Sequence, residues 1–303
     1  MFSLAAKRAF TLPIRHAPPR LLSHHATPPP TPSPAFLHTT PAHSHPTAMA
    51  VDESTQTNGV AEPGAGHLDA REIEQSSTWT VQSVLKDIPH GYAESTASPV
   101  PFFHLLERLK TTKRAGWRRF GIESCESIAD HMYRMSILCM LAPASVTSKL
   151  DILRCTRMAL IHDMAESLVG DITPVDPVSK EEKSRRETVT MDYICTNLLG
   201  KFNGGLNGAD IRRIWQEYED SETPESLFVH DIDKVELLLQ MVEYERTCAC
   251  ATDLGEFTWV AQKIRSPEVR TWADAVFRER QQLWRNAGKT CSWRADTEPK
   301  DEA

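Results

Sequence analysis

Between about residue 93 and residue 289 apolar residues recur at intervals of three and four, and no comparable stretch alternates with period two. Ile128, Met132, Met135 and Leu138 show the pattern, and so do Val269, Trp272 and Val276. That spacing gathers apolar side chains on one face of a 3.6-residue helix and would scatter them across both faces of a strand. Helix start signals punctuate the same region: Ser98-Pro99, Ser179 with Glu182 three residues on, Thr223-Pro224 and Ser266-Pro267. In each, a hydroxyl that can cap free amides precedes a proline suited to the first turn or a glutamate that can close a capping box. The expected fold is all-α, a bundle of about seven helices with the longest near 223–250 and no internal repeat.

The flanks obey different rules. Residues 1–51 hold ten of the 20 prolines and six of the 12 histidines, with little apolar periodicity, so this segment cannot bury a core and is expected to be disordered. It carries Lys7, Arg8, Arg15 and Arg20 but no acid, the composition of a mitochondrial transit peptide. Initiation at Met49 would remove it and leave a cytoplasmic protein, so both compartments are expected. Residues 52–92 read as linker, 93–289 as one domain and 290–303 as a polar tail.

Charge and cysteine usage narrow the function. The whole-chain net charge is −7, and the body beyond the basic leader is more acidic still. A nucleic-acid polymer needs clustered Lys and Arg and is not the expected partner. No apolar run approaches the ~18 residues that span a bilayer, so no membrane association is expected. The seven cysteines form no CxxC pair and no disulfide-framework spacing, which fits free thiols in a reducing compartment.

From residue 90 onward there are only five histidines, at 90, 104, 131, 162 and 230. Two sit where a core should be. His131 lies on the stripe of Ile128, Met135 and Leu138, and His162 lies one turn from Met158, Ala159 and Ala165. Asp163 follows His162, and Asp233 interrupts the stripe of Val229, Leu237 and Gln240. A lone core histidine is usually bonded to a carbonyl, and a helical aspartate is usually a cap or exposed. Together, however, two buried carboxylates require a compensating cation, since an unpaired one costs several kcal/mol. Two imidazoles and two carboxylates converging from three helices suit one divalent ion with open positions, Mn, Co, Fe, Zn or Mg, better than a closed thiolate site. Glu166, three residues beyond Asp163 and four beyond His162, projects from the same face of a regular helix, a place for proton transfer.

The segments ESIADHMYRM, MALIHDMAESLVGDITPVD, EEKSRRE and HDIDKVELLLQMVEYE resemble the HD domain-containing protein 2 group of 5′-deoxynucleotidases, over most of residues 98–289. The resemblance implies a helical HD-domain bundle, usually a homodimer. It also implies one divalent metal that helps hydrolyse deoxynucleoside 5′-monophosphates to deoxynucleosides and phosphate, a phosphatase of nucleotide metabolism. By position it assigns the metal to His131, His162, Asp163 and Asp233, with Asp231 as the neighbouring alternative. It assigns acid/base catalysis to Glu166, the sugar hydroxyl to Asp171 and a contact with the nucleoside to Trp117. Bacterial members carry Arg immediately before that Trp, where this chain has Gly116. Arg114, Arg118 or Arg119 could then supply the planar fork that grips a phosphate. Lys180, Lys183, Arg185 and Arg186 are further cations, or simply a solvated helix face.

Two other functions share these ligands. A phosphodiesterase or nucleoside triphosphate hydrolase of the same superfamily often uses extra histidines, and only His90, His104 and His230 are spare. An inactive metal-binding scaffold is the reading from another class, against which the presence of Glu166 and Asp171 argues.

Overall fold

The computed structural model describes residues 79–294 and 297; the 1–51 leader, most of the 52–92 linker and the end of the polar tail lie outside the described residues. Among the described residues there is no β-strand, and seven α-helices have eight or more residues. These are α1 (Val100–Thr111), α2 (Ile128–Met140), α3 (Ile152–Ala159), α4 (Lys180–Tyr193), α5 (Leu206–Asp220), α6 (Pro224–Thr247) and α7 (Pro267–Asn286). Shorter helical turns at Val81–Lys86, Ala115–Arg118, Ala144–Thr147 and Glu166–Val169 join them. No helix among the described residues is long and apolar enough to cross a membrane.

Three of the four start signals act as side-chain caps: Ser179 accepts from the Glu182 amide, Thr223 from Ser226 and Ser266 from Val269. The fourth is shifted. Pro99 occupies the cap position of α1 without a side-chain cap bond, and the Ser98 hydroxyl instead accepts from the Val100 amide at 3.3 Å. A further cap, Ser127, closes a reciprocal box with Asp130 and sets the first turn of α2, four residues before His131.

α6 is the central element. It packs against α2, α3, α5 and α7 and buries Val229, Ile232, Val235, Leu238, Met241 and Val242. A helix surrounded in this way has no wide solvent face, yet Asp231, Glu236 and Glu245 are buried on it as well. Each buried carboxylate is partnered. Asp231 accepts from the amides of Arg265 and Ser266 and so fixes the start of α7. Glu245 accepts from Arg280, the Trp284 indole and the Leu254 amide. Glu236 takes His131 and Arg134. The first two pin α7 and the chain leading to it onto α6, and the third ties α6 to α2 at the centre of the molecule.

Candidate metal centre

His131 enters from α2, with its side chain fully buried. His162 and Asp163 follow the end of α3, and here the structure departs from the regular helix expected across this segment. Residues 160–165 form successive turns, and the amides of Met164, Glu166 and Ser167 bond to carbonyls three residues back. Under i→i+3 bonding, side chains three apart eclipse, which puts Glu166 on the side of the turn that carries Asp163, close enough for the Asp163 charge to act on it. The break has a visible anchor. His162 Nδ1 donates to the carbonyl of Ala159 at 3.0 Å, which satisfies an acceptor left open where α3 stops. Because that carbonyl can only accept, the proton sits on Nδ1 and Nε2 keeps its lone pair.

The ligand atoms of His131, His162 and Asp163 all lie within 4.8 Å of one another. Asp163 Oδ2 is 3.2 Å from His162 Nε2 and 3.8 Å from His131 Nε2, and Asp233 Oδ1 is 3.3 Å from His131 Nε2. Asp233 therefore faces this centre from α6, while the neighbouring Asp231 is engaged by main-chain amides two residues away.

Two observations test whether a cation fits. His131 Nε2 is buried without a properly aligned hydrogen-bond partner among the described residues, despite the nearby Asp233 oxygen. The electrostatics agree: burial and Arg114 push the His131 imidazole down, but Glu236 and Asp233 overcome them and pull it up to about 10. Burial works against the charged forms of Asp163 and Asp233, yet the two histidines and Arg114 hold both below the ordinary carboxylate range. The pocket thus calls for positive charge at the point where two imidazole nitrogens and two carboxylates meet, and a divalent ion satisfies that demand.

Glu166 is buried, and its Oε2 has no hydrogen-bond partner among the described residues. Burial first, then Asp163 and Asp171, raise its pKa well above the usual range against Arg114 and Lys183. Around it stand two cations. Arg114 Nη1 is 3.4 Å from Asp163 Oδ2, and its charge is strengthened by Asp171, Asp163, Glu166 and Asp233 in opposition to burial. Lys183 donates to the Ile172 carbonyl at 3.0 Å. The four remaining arginines among the basic candidates are engaged elsewhere. Arg118 pairs with Glu123 on the surface, Arg119 with Glu256, and Arg185 and Arg186 with Glu182.

Asp171 accepts from the Ala115 amide at 2.6 Å, so it holds the loop that carries Arg114. Trp117 lies deeper than the nucleoside contact expected for it would require: it is 2% exposed. Its indole donates to Glu126, and its ring packs against Tyr244 and Phe257 with centroids 5.3 and 4.7 Å away. No face of the indole is open to a nucleoside in this conformation.

Sequence reasoning missed Glu236, whose Oε2 lies 2.5 Å from His131 Nδ1, and Tyr218, whose ring centroid is 4.8 Å from that of His162. The available signal for Glu236 was its spacing, three residues beyond Asp233 on α6, matched by Arg134 three residues beyond His131 on α2. For Tyr218, on α5, nothing local in the sequence points toward the centre.

Residues 106–272 match the HD domain family. The 5′-deoxynucleotidase hdd1 of Schizosaccharomyces pombe is 49% identical over 192 residues, covering 63% of this chain and 95% of that protein. The 5′-deoxynucleotidase YBR242W of Saccharomyces cerevisiae is 37% identical over 225 residues, 73% of this chain and 92% of that protein. The 5′-deoxynucleotidase HDDC2 of Homo sapiens is 41% identical over 152 residues, 49% of this chain and 69% of that protein.

Proposed function

Because this chain belongs to the HD domain family, we propose that it is a metal-dependent 5′-deoxynucleotidase that hydrolyses deoxynucleoside 5′-monophosphates to deoxynucleosides and phosphate. The observation that carries this reading is a buried Glu166 with an unpartnered Oε2, its pKa raised by burial and by Asp163, beside the converging atoms of His131, His162, Asp163 and Asp233. These four residues would hold one divalent ion of the Mn, Co, Zn, Fe or Mg class. When bound, the ion supplies positive charge to the phosphoryl group and acidifies water at neutral pH.

The chain's own groups do the rest. Arg114 binds phosphate, since it is the arginine already at the centre, and Lys183 adds a second positive charge. Glu166 gives its proton to the departing 5′-oxygen as the bond from that oxygen to phosphorus breaks. The resulting carboxylate takes the proton of the attacking water, whose oxygen forms the new bond to phosphorus, so the residue returns to its starting state. Asp171 joins sugar recognition to the Arg114 loop, with one oxygen on the Ala115 amide. Trp117 supports that loop from beneath. A carboxylate that hydrogen-bonds a sugar hydroxyl favours discrimination there, where an unpaired polar group is costly.

The reading extends to assembly and place. Tyr133, Ile137 and Met140 along one side of α2, and Leu141 just after it, are exposed, which supports a homodimer through that face. The acid-free leader supports delivery to mitochondria, with the form beginning at Met49 remaining cytoplasmic. Phosphate release from dAMP, AMP and dATP, each assayed with Mn, Co, Zn and Mg, tests the function. Turnover of dAMP in preference to the other two supports it; preference for dATP favours the triphosphate hydrolase, and inactivity on all three favours the scaffold.

A further inference from the structure

His131 and Glu236 are both fully buried, and His131 Nδ1 lies 2.5 Å from Glu236 Oε2. The other oxygen of Glu236 accepts from Arg134 Nε at 2.8 Å and lies 2.7 Å from its Nη2. Arg134 is itself held from α6, donating to Gln240 at 2.8 Å and to Glu243 at 2.6 Å. Both oxygens of the carboxylate are thus occupied, and its position is set from two helices. An ionised carboxylate can only accept, so His131 Nδ1 keeps its proton, and Nε2 is the nitrogen that can give up its own and offer a lone pair to a metal. Nε2 is the buried atom beside Asp233 that lacks an aligned partner among the described residues.

His162 has the same tautomer from a different anchor, the neutral carbonyl of Ala159. The two imidazoles of the centre are consequently unequal. One is backed by a full negative charge and the other by a dipole. We propose that Glu236 is a positioning residue of the metal centre: it orients His131, fixes its Nδ1–H tautomer and makes its Nε2 the stronger imidazole donor, with Arg134 holding Glu236 in place. This rests on the reading of the site as metal-binding. A carboxylate behind a ligating imidazole raises the ligand's basicity, and its loss typically weakens metal affinity about 10- to 100-fold.

The experiment compares Zn²⁺ affinity, by competition with a chromogenic chelator, in wild type, Glu236→Gln, Glu236→Met and Glu245→Gln. Glu245 is an equally buried, Arg-paired carboxylate whose partners belong to α7 and the chain before it. Glu236→Gln keeps an acceptor for Nδ1–H but loses the charge, so its affinity should fall roughly 10-fold, and Glu236→Met, which loses both, toward 100-fold. Glu245→Gln should lower the melting temperature of the metal-free protein and leave Zn²⁺ affinity at wild type. If Glu236→Met does not fold, Glu236→Gln decides alone. Wild-type affinity in the folded Glu236 variants, with only melting temperature reduced, would overturn the proposal and leave the metal reading standing. A wild-type protein that takes up no Zn²⁺, Co²⁺ or Mn²⁺ would overturn both.

Discussion

Arg114 reaches across from the loop before Trp117 to stand 3.4 Å from the Oδ2 of Asp163. The contact brings a cation from one end of the domain's first third to a carboxylate that follows α3, and Asp171 secures the same loop through the Ala115 amide. Arg118, only four residues on, turns to Glu123 at the surface. Arg114→Ala should therefore lower kcat/KM for dAMP by about 10- to 100-fold, the loss expected for a hydrogen bond to a charged group of roughly 1.5–3 kcal/mol. Arg118→Ala should change it by less than about 2-fold, since its side chain is turned to Glu123 at the surface and an exposed ion pair contributes roughly 0–1 kcal/mol. Steady-state kinetics on the two variants distinguishes them, and equal losses would move the phosphate contact away from Arg114.

Glu166→Gln keeps the size of the side chain and its hydrogen bonding but cannot exchange a proton at neutral pH. Metal content should stay at wild type while turnover of dAMP falls about 100-fold or more. Asp171→Asn should mainly raise KM and weaken the preference for dAMP over AMP. Elemental analysis beside kinetics checks both, and wild-type turnover in Glu166→Gln would make this residue an ordinary buried acid.

Removal of the ion should destabilise the fold at its centre. A ligand present at 100 times its dissociation constant stabilises by about 2.7 kcal/mol, which for a domain of this size is roughly 5–10 °C in Tm. Chelation should lower the Tm of wild type by that amount and leave the Tm of His162→Ala and Asp163→Ala unchanged. A thermal melt with and without chelator decides it; equal responses in all three proteins would dissociate metal from this site.

Glu187 carries a pH signature. Burial pushes its carboxyl up to about 7, with Lys183 opposing and Glu219 reinforcing the shift. Below the unfolded value of 4.5 both states are protonated and nothing is lost. As pH rises toward and through 7 the unfolded chain ionises first, so stability from this group declines across that window and stays low above it. Glu187→Gln should remove the decline. Its unfolding free energy should match wild type near pH 4.5 and exceed it by about 1–3 kcal/mol near pH 8. Denaturant titrations at the two pH values test the sign, and a gain at low pH would reverse the assignment.

Trp117→Ala should act on the fold before it acts on the substrate. Truncating a buried aromatic of this size costs about 3–5 kcal/mol, and the loss also strands Glu126 beneath the loop. Tm should fall by roughly 6–20 °C. A variant with unchanged Tm and only a raised KM would return the indole to a contact with the nucleoside.

By itself the sequence determined the class of fold and singled out the residues from which a centre could be built. Helical spacing of Ile128, Met132 and Met135, and the capping hydroxyls at 179, 223 and 266, are local properties that any short stretch of chain carries. Histidines and aspartates placed on otherwise apolar faces announce a buried charge that something must balance, and that inference needs no coordinates. What the tertiary structure decided was geometry across distance. Asp231 and Asp233 are alike in sequence, and only the approach of the Arg265–Ser266 amides takes the first for the fold and leaves the second for the centre. Arg114, Arg118 and Arg119 are equivalent by composition, and their separation depends on how the turn at Ala115–Arg118 is held by Asp171. Trp117 is claimed by Tyr244 and Phe257, and Glu236 meets His131 from a residue 105 positions away. Periodicity reports which face of a helix is apolar, whereas the partner of a buried polar atom depends on which helices meet, and that is settled by packing around α6.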